Sequence, residues 1–486
     1  MALDPDHDWK AMKKAGKRLF QRLGELRDIQ VMQEWVLRLK GGGKKEQEPS
    51  LMDDPAIGVP AQENSAKTAQ IDPETLLSRI LADREQQQKL EARAALDEFD
   101  RKQWKQWSKS LPSRAARYRP GSAVFKHLAL ERWMQARELH SRAMRNRSQT
   151  ALHAARIGLK RFRYIVENFL PVEHKAWSAS LKQMQDLLGE IHDLDVLWAT
   201  ALSCRIFPDS RSRQEWHDRV VAERTIRLER YREKMTGTRS LWEVWRAGLP
   251  QGKQVHALAL RRIKLWAAGL DPDFSHSERV TRLALELYDG LLSHGWQPAS
   301  DSASARLSLL AASLLHDIGK SLGEKGHHKA SIDLIHGYRA PLGWSENDLR
   351  QAAIIARFHR GALPTGKHRL LRDLRPDQQK AIIQLSAILR LANAFDSAHD
   401  GRILRLELRA PEVLGSKLHQ SGVRRRARHG PVRGSLVPAT EPLTIAAEGY
   451  SPSNATARAI AAERHLLETV LRRPVIVKAA KHVARR

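Results

Sequence analysis

The residues best able to do chemistry lie in the second half of the chain. His276, the adjacent pair His316-Asp317, and Asp396 follow one another through a stretch of helical pattern. Imidazole and carboxylate together suit a divalent transition metal such as Mn, Fe, Zn or Ni, and Ca less readily. Within one helix His316 and Asp317 would diverge by about 100°. Both reach one ion only from the edge of that helix, with other helices completing the shell. His276 opens one predicted helix (HSERVTRLALEL), and Asp396 closes another (AILRLANAFD). A lone His-Asp pair is also what an ordinary helix C-terminus can carry. The four residues in order are a much narrower pattern.

Two further histidine segments lie between them, Gly326-His327-His328-Lys329 and Arg357-Phe358-His359-Arg360. A histidine followed by a cation suits a phosphate site. The imidazole ligates metal or protonates a leaving oxygen, and the Lys or Arg neutralises phosphate charge. His328 and His359 are the expected members of the site. His327 stands behind them, and His294, His336 and His368 read as structural or solvated. The candidate catalytic set is Asp317, Lys320, His328 and His359, with Lys329 and Arg360 touching substrate.

This region resembles the C-terminal half of the exopolyphosphatase/guanosine pentaphosphatase family. The segments HSERV, LLHDIGK, GHHKASIDLI, RFHRGALP and LRLANAFDSAHDG carry the resemblance, in that order. It implies an all-helical HD-type fold with His276, His316, Asp317 and Asp396 as metal ligands. His328 and His359 would line the cleft or hold a second ion. One or two divalent ions (Mn, Mg, Fe or Zn) would activate water for attack on a phosphate, and two would clamp the attacking and leaving oxygens. Lys320, Lys329 and Arg360 would stabilise phosphate charge. In that family phosphate-chain hydrolysis belongs to an upstream actin-like half with glycine-rich loops. No such half is legible here, nor is a glycine-rich nucleotide loop, a Cys–His zinc spacing or a serine-hydrolase elbow.

The first half carries an internal repeat. Leu23-Gly24-Glu25-Leu26-Arg27-Asp28-Ile29-Gln30-Val31 matches Leu188-Gly189-Glu190-Ile191-His192-Asp193-Leu194-Asp195-Val196, and the same offset aligns Lys17 with Lys182. A mid-helix Gly costs roughly 1 kcal/mol relative to Ala, so its repetition suggests close helix–helix approach. Upstream of the second copy, ALHAARIGLKRFRYIVENF sets His153, Arg156, Lys160 and Arg163 on one stripe. Leu152, Ala155, Leu159, Phe162, Val166 and Phe169 form the adjoining apolar stripe. A row of cations repels itself, and a polyanion lying along it relieves that repulsion. A solvated helix face carries such runs too.

His153, Arg156, Lys160, Arg161, Arg163 and Tyr164, with the second repeat motif, make residues 1–250 resemble the CHAD family of helical domains. The resemblance implies a pseudo-symmetric pair of helical bundles whose basic seam binds inorganic polyphosphate. His153, Arg156, Lys160, Arg161, Arg163 and Lys182 would contact it. The counterpart of His153 falls before Met1, so the first repeat is truncated in this sequence.

The elements that position these residues read as follows. Residues 1–40, 73–110, 122–247 and 255–398 have helical periodicity, interrupted at 111–121 and 207–209. Residues 41–72 read as a linker. The segment 402–408 alternates like a strand, 424–434 is a basic loop, and 443–447 and 474–479 are short strands around a helix at 454–472. The expected fold is mainly α: a CHAD-like domain (1–250), an HD-type metal-binding domain (251–400) and a small α+β subdomain (401–486).

The bulk composition agrees. The chain has 486 residues and a net charge of +28, with 83 Lys and Arg against 55 Asp and Glu. A surplus of that size points to an anionic partner. The one cysteine, Cys204, excludes an intramolecular disulfide, and no apolar run reaches the about 20 residues a membrane span needs. The first residues do not read as a signal peptide. The expected protein is cytoplasmic, or on polyphosphate granules. It binds polyphosphate and hydrolyses phosphoanhydride or phosphoester bonds with a divalent metal. The alternatives are a non-catalytic granule-targeting protein and a hydrolase of (p)ppGpp-like nucleotides.

Overall fold

A computed structural model describes residues 8–41, 72–409 and 441–480, apart from 110, 112, 114, 115, 117 and 147. The linker interior (42–71) and the basic run at 424–434 lie outside the described residues. The chain divides into two compact units, with the break between Gly252 and Lys253. It is mainly helical, as the periodicity predicts.

The first unit contains α1 (Asp8–Gly41), α2 (Pro73–Asp97), α3 (Arg101–Ser108), α4 (Ala123–Asn146), α5 (Gln149–Phe169), α6 (Pro171–Ser203), α7 (Ser210–Met235) and α8 (Leu241–Ala247). The helical stretches are more divided than their periodicity suggests, and capping chemistry is the reason. Asp100 accepts from Gln103 N at 2.9 Å and starts α3, while Ser148 accepts from Ala151 N at 3.2 Å and starts α5. Pro171 opens α6, where its missing N–H costs nothing. The predicted break at 207–209 is present, and Asp209 caps α7 through Ser212 N at 2.7 Å.

The apolar stripe of α5 is buried from Leu152 to Val166. Each of Leu159 and Phe162 contributes roughly 1.5–3 kcal/mol by leaving water. Phe169, at the end of the stripe, is exposed and stacks on Phe125 with ring centroids 4.3 Å apart. The two copies of the repeat fall on α1 and α6. Their glycines differ. A Cβ on Gly189 would sit 3.8 Å from Arg156 Nε, whereas one on Gly24 would meet nothing within 4 Å. Likewise Leu188 is 2% exposed and its counterpart Leu23 is 46% exposed. The close helix–helix approach expected at both glycines is present at neither: the neighbour of Gly189 is a side-chain atom at ordinary contact distance. Helix α5 packs on the second copy, whereas α2 packs on the first, where Ile29 is buried with Leu77 and Leu81 and Gln30 donates to Glu85 at 3.0 Å.

The second unit contains α9 (Lys253–Ala268), α10 (Phe274–Ser293), α11 (Ser302–Leu315), a 3₁₀ turn (Ile318–Leu322), α12 (His327–His336), α13 (Glu346–Arg357) and α14 (Pro376–Phe395). They enclose a core that includes Leu283, Leu287, Leu309, Leu315, Ile355 and Ile388. The C-terminal part supplies β1 (Arg405–Arg409), β2 (Leu443–Glu448), α15 (Ala455–Leu471) and β3 (Val475–Ala480). The sheet order is β1-β2-β3. Strand β1 is antiparallel to β2, with Arg405 opposite Glu448, and β3 is parallel to β2, with Leu443 opposite Val475. The alternation seen in the sequence holds: Leu406 and Leu408 face inward, and Arg405, Glu407 and Arg409 face out. Leu406, Ile445 and Ile460 join the same core as the helices, so this part packs directly on the helices of the second unit. Among the described residues no helix is long and apolar enough to cross a membrane.

Candidate functional site

Helix α11 ends at Leu315, so His316 and Asp317 leave the helix instead of lying on it. His316 is the C-cap, and Asp317 has φ −106° and ψ 2°. This frees the pair from the divergence a continuing helix would impose. Gly319 makes the next step possible. Its N–H donates to Ser331 Oγ at 2.9 Å, and that hydroxyl donates to the His316 carbonyl at 2.8 Å. A Cβ on Gly319 would lie 2.1 Å from the His327 carbonyl oxygen. Only glycine lets the start of α12 come this close to the His-Asp pair.

The histidines share a hydrogen-bonding pattern. Nδ1 of His316 lies 2.8 Å from Ser313 O, Nδ1 of His327 lies 2.8 Å from Glu324 O, and Nδ1 of His359 lies 2.7 Å from Ala356 O. Each partner is the carbonyl three residues back. Nδ1 of His276 lies 2.7 Å from Asp396 Oδ2. An acceptor at Nδ1 favours the tautomer with its proton there and a lone pair at Nε2; Nε2 of His276 also lies 3.0 Å from Asn393 Oδ1, and those of His327 and His359 lie 3.2 Å apart.

The four Nε2 atoms converge on Asp317. Its Oδ2 lies 3.5 Å from His316 Nε2 and 3.8 Å from His276 Nε2. Its Oδ1 lies 3.2 Å from His327 Nε2 and 3.5 Å from His359 Nε2. Two potential ligand groups result, His276–His316–Asp317 and Asp317–His327–His359, all buried. His316 Nε2 is buried without a hydrogen-bond partner among the described residues. An orphaned group of this kind costs about 1–3 kcal/mol. A divalent ion would supply the missing partner, and the nitrogen-plus-carboxylate donor set suits one.

The electrostatics favour the same state. Burial works against the Asp317 charge, but His316, His327, His359 and Lys320 outweigh it and hold the carboxyl well below the usual carboxylate range. Burial pushes His316 down despite Asp317, and it pushes His359 down further, aided by the His316 charge. Neutral imidazoles around a charged carboxylate are what a metal requires. His327 moves the other way, raised by its hydrogen bond to Asp317.

The structure assembles His276, His316, Asp317 and His359 as the sequence suggests. It differs at three positions. His327, set behind His328 in the sequence reading, is the member of the second ligand group. His328 lies beside it, with its ring centroid 6.3 Å from that of His359 and outside both groups. Neighbours at a helix start point in different directions, and Gly326 at φ +80° begins α12 so that His327 faces inward. Asp396 also lies outside both groups. Its Oδ2 takes the bonds from His276 and from Arg279 Nε at 2.8 Å, so it orients His276 from behind. Lys320 Nζ lies 2.6 Å from Asp317 Oδ2, on the shared carboxylate. Lys329 and Arg360 are exposed.

Other residues support the centre without a sequence signal that singled them out. His399 stacks on His276 at 3.8 Å between centroids and reaches Asp273 Oδ2 at 2.6 Å. Asp273 in turn caps α10 through His276 N at 3.2 Å. Buried Arg390 donates from Nη1 to the carbonyls of Phe358 (3.0 Å) and Gly361 (3.2 Å), and from Nε to Glu463 at 2.7 Å. Glu463 belongs to α15, so the C-terminal part helps fix the backbone that carries His359.

In the first unit, His153 and Arg161 are exposed on α5, Arg156, Lys160 and Arg163 are half-buried beside them, and Lys182 is exposed on α6. His153 Nδ1 lies 3.3 Å from His192 Nδ1. The acids of the repeat motif are engaged elsewhere: Asp195 pairs with Arg224 at 2.9 Å and Glu190 with Arg227 at 2.5 Å. Burial pushes Asp193 up to about 6, against the pull of Arg156, and Asp28 from the other repeat copy adds to the rise. Arg163 reaches Glu167 at 3.4 Å, but no carboxylate pairs with Arg156, Lys160, Arg161 or Lys182 among the described residues. The row keeps its positive charge.

Comparison with known families agrees with this division. Residues 2–202 match the CHAD domain, and residues 261–418 match the Ppx/GppA phosphatase, domain III. No curated protein matches the chain.

Proposed function

We propose that the chain binds inorganic polyphosphate, or another phosphate-rich polyanion, along the α5 row and hydrolyses phosphoanhydride or phosphoester bonds at a divalent-metal centre around Asp317. The observation that carries the hydrolytic reading is the convergence of four histidine Nε2 atoms on one buried carboxylate, with His316 Nε2 left unpartnered among the described residues. His276 and His316 would hold one ion and His327 and His359 a second, with Asp317 shared between them. Bound there, a divalent ion lowers the pKa of a water and polarises a phosphoryl oxygen. The chain's own groups do the rest. Asp396 and the three backbone carbonyls keep the imidazoles in one tautomer and orientation. Lys320 offsets negative charge at Asp317, and Lys329 and Arg360 at the rim offer cations to phosphate oxygens. His328, pushed down to about 4 by burial and the nearby charge of Arg357, is neutral near pH 7. It can accept a hydrogen bond there without adding charge.

Polyphosphate is the leading substrate, because the α5 row and the metal centre both suit phosphate oxygens and occur in one chain. The families matched by the two segments support the same pairing. Nucleotides with several phosphates offer the centre the same chemistry. The test is polyphosphate chain length on a gel, with and without Mn, and with His316→Ala alongside. Metal-dependent shortening that the variant loses is the expected result. Retarded mobility with no shortening in any metal would leave a binding protein and reject hydrolysis of this polymer.

A further inference from the structure

Arg357 closes helix α13, two residues before His359, and is only 8% exposed. Its Nη1 is buried with no hydrogen-bond partner, and no carboxylate pairs with it among the described residues. Its guanidinium lies 5.6 Å from the Phe358 ring, a contact that leaves its charge uncompensated. A buried cation without a counterion is costly, and a bound anion would relieve that cost.

The surroundings add positive charge. The charges of Arg357, Lys329 and Arg360 all bear on His328, and those of Arg357 and Arg369 both bear on His368. Among the described residues no ion pair neutralises Lys329, Arg360 or Arg369. The cluster also adjoins the metal centre. His328 has its ring edge-on to both His327 and His359, at 5.7 and 6.3 Å between centroids. Gly361, at φ +78°, leaves the His328 Nε2 face open: a side chain there would begin 3.4 Å from that nitrogen.

We infer that Arg357, with His328, Arg369 and the rim cations Lys329 and Arg360, forms an anion subsite for the phosphate group adjoining the one held at Asp317. This rests on the reading of the Asp317 cluster as a phosphohydrolase centre. It adds a selectivity: substrates with two or more linked phosphates are favoured over monoesters, because only they fill both places. A guanidinium suits this role, since its planar fork matches two phosphate oxygens at once.

The test reads hydrogen exchange on the peptide spanning 357–371 in the full chain, so that anion binding elsewhere does not contribute. Inorganic triphosphate is titrated in with Mn present, and metal content is measured alongside. Wild type is expected to slow its exchange there at least tenfold lower in triphosphate than Arg357→Gln does, with equal metal content in the two. Equal titration curves would overturn the inference. A second variant, Arg357→Met, separates binding from folding. An arginine kept for a ligand is dispensable for stability, so the unfolding midpoint in phosphate-free buffer stays level or rises. A fall would mark Arg357 as structural and overturn the inference as well. If wild type binds no metal, the hydrolytic reading fails by itself. The triphosphate titration, repeated without metal, still decides whether Arg357 holds an anion.

Discussion

Asp317 Oδ1 lies 3.2 Å from His327 Nε2, and this contact makes a single carboxylate common to two ligand groups. It also decides between neighbouring histidines. His327 is 3% exposed and faces the carboxylate, whereas His328 turns toward Arg357 and Gly361. Replacing His327 with Ala should remove about one of two bound ions, and replacing His328 with Ala should leave both. Metal analysis of the two purified variants distinguishes them, and the reverse ranking would contradict the assignment.

Gly319 tests the backbone that brings the groups together. A Cβ there collides with the His327 carbonyl at 2.1 Å and with Ser331 N at 2.6 Å. Both contacts are backbone, so no side chain can rotate away. Gly319→Ala should destabilise the chain by about 1–3 kcal/mol, the usual range for overpacking, and should displace His327. Urea unfolding and metal content measure the two effects. Wild-type values for both would show that α12 adjusts freely.

The pH dependence of the first unit should carry a signature of His140. It is buried, its Nδ1 lies 3.0 Å from the Tyr231 hydroxyl, and burial, with a smaller push from Arg137, lowers it to about 4 from 6.5. The unfolded chain therefore binds the proton more readily between those values. Stability is fully present above pH 6.5 and is lost as pH falls through 4, by an amount on the order of 3 kcal/mol. His140→Gln should flatten that part of the curve. Tryptophan-monitored unfolding at pH 7.5 and pH 4.5 reads the difference, and equal slopes in the two proteins would contradict it.

How much of this was legible in the sequence varied with the kind of signal. The strand at 405–409 follows from simple alternation, because one of its faces meets the helical core, whereas β2 (443–448) is buried along most of its length and does not alternate. His276, His316 and Asp317 were legible because their order and helical setting are local properties. The choice of His327 over His328 was not, since it depends on where Gly326 starts a helix and how closely Gly319 admits it. Asp396 was expected as a metal ligand and lies instead outside both ligand groups, with its Oδ2 2.7 Å from His276 Nδ1, because which atom it faces is set by the fold. Arg357 had no sequence signal: its meaning comes from burial without a partner. Gly24 and Gly189 are identical in the repeat and different in packing, because α5 covers only the second.

The most direct test of the account is the metal content of the purified chain beside Asp317→Ala. If Asp317 is shared by both groups, wild type should hold two divalent ions and the variant should lose both while its helical content stays unchanged. A folded variant that keeps its full metal complement would contradict the central claim.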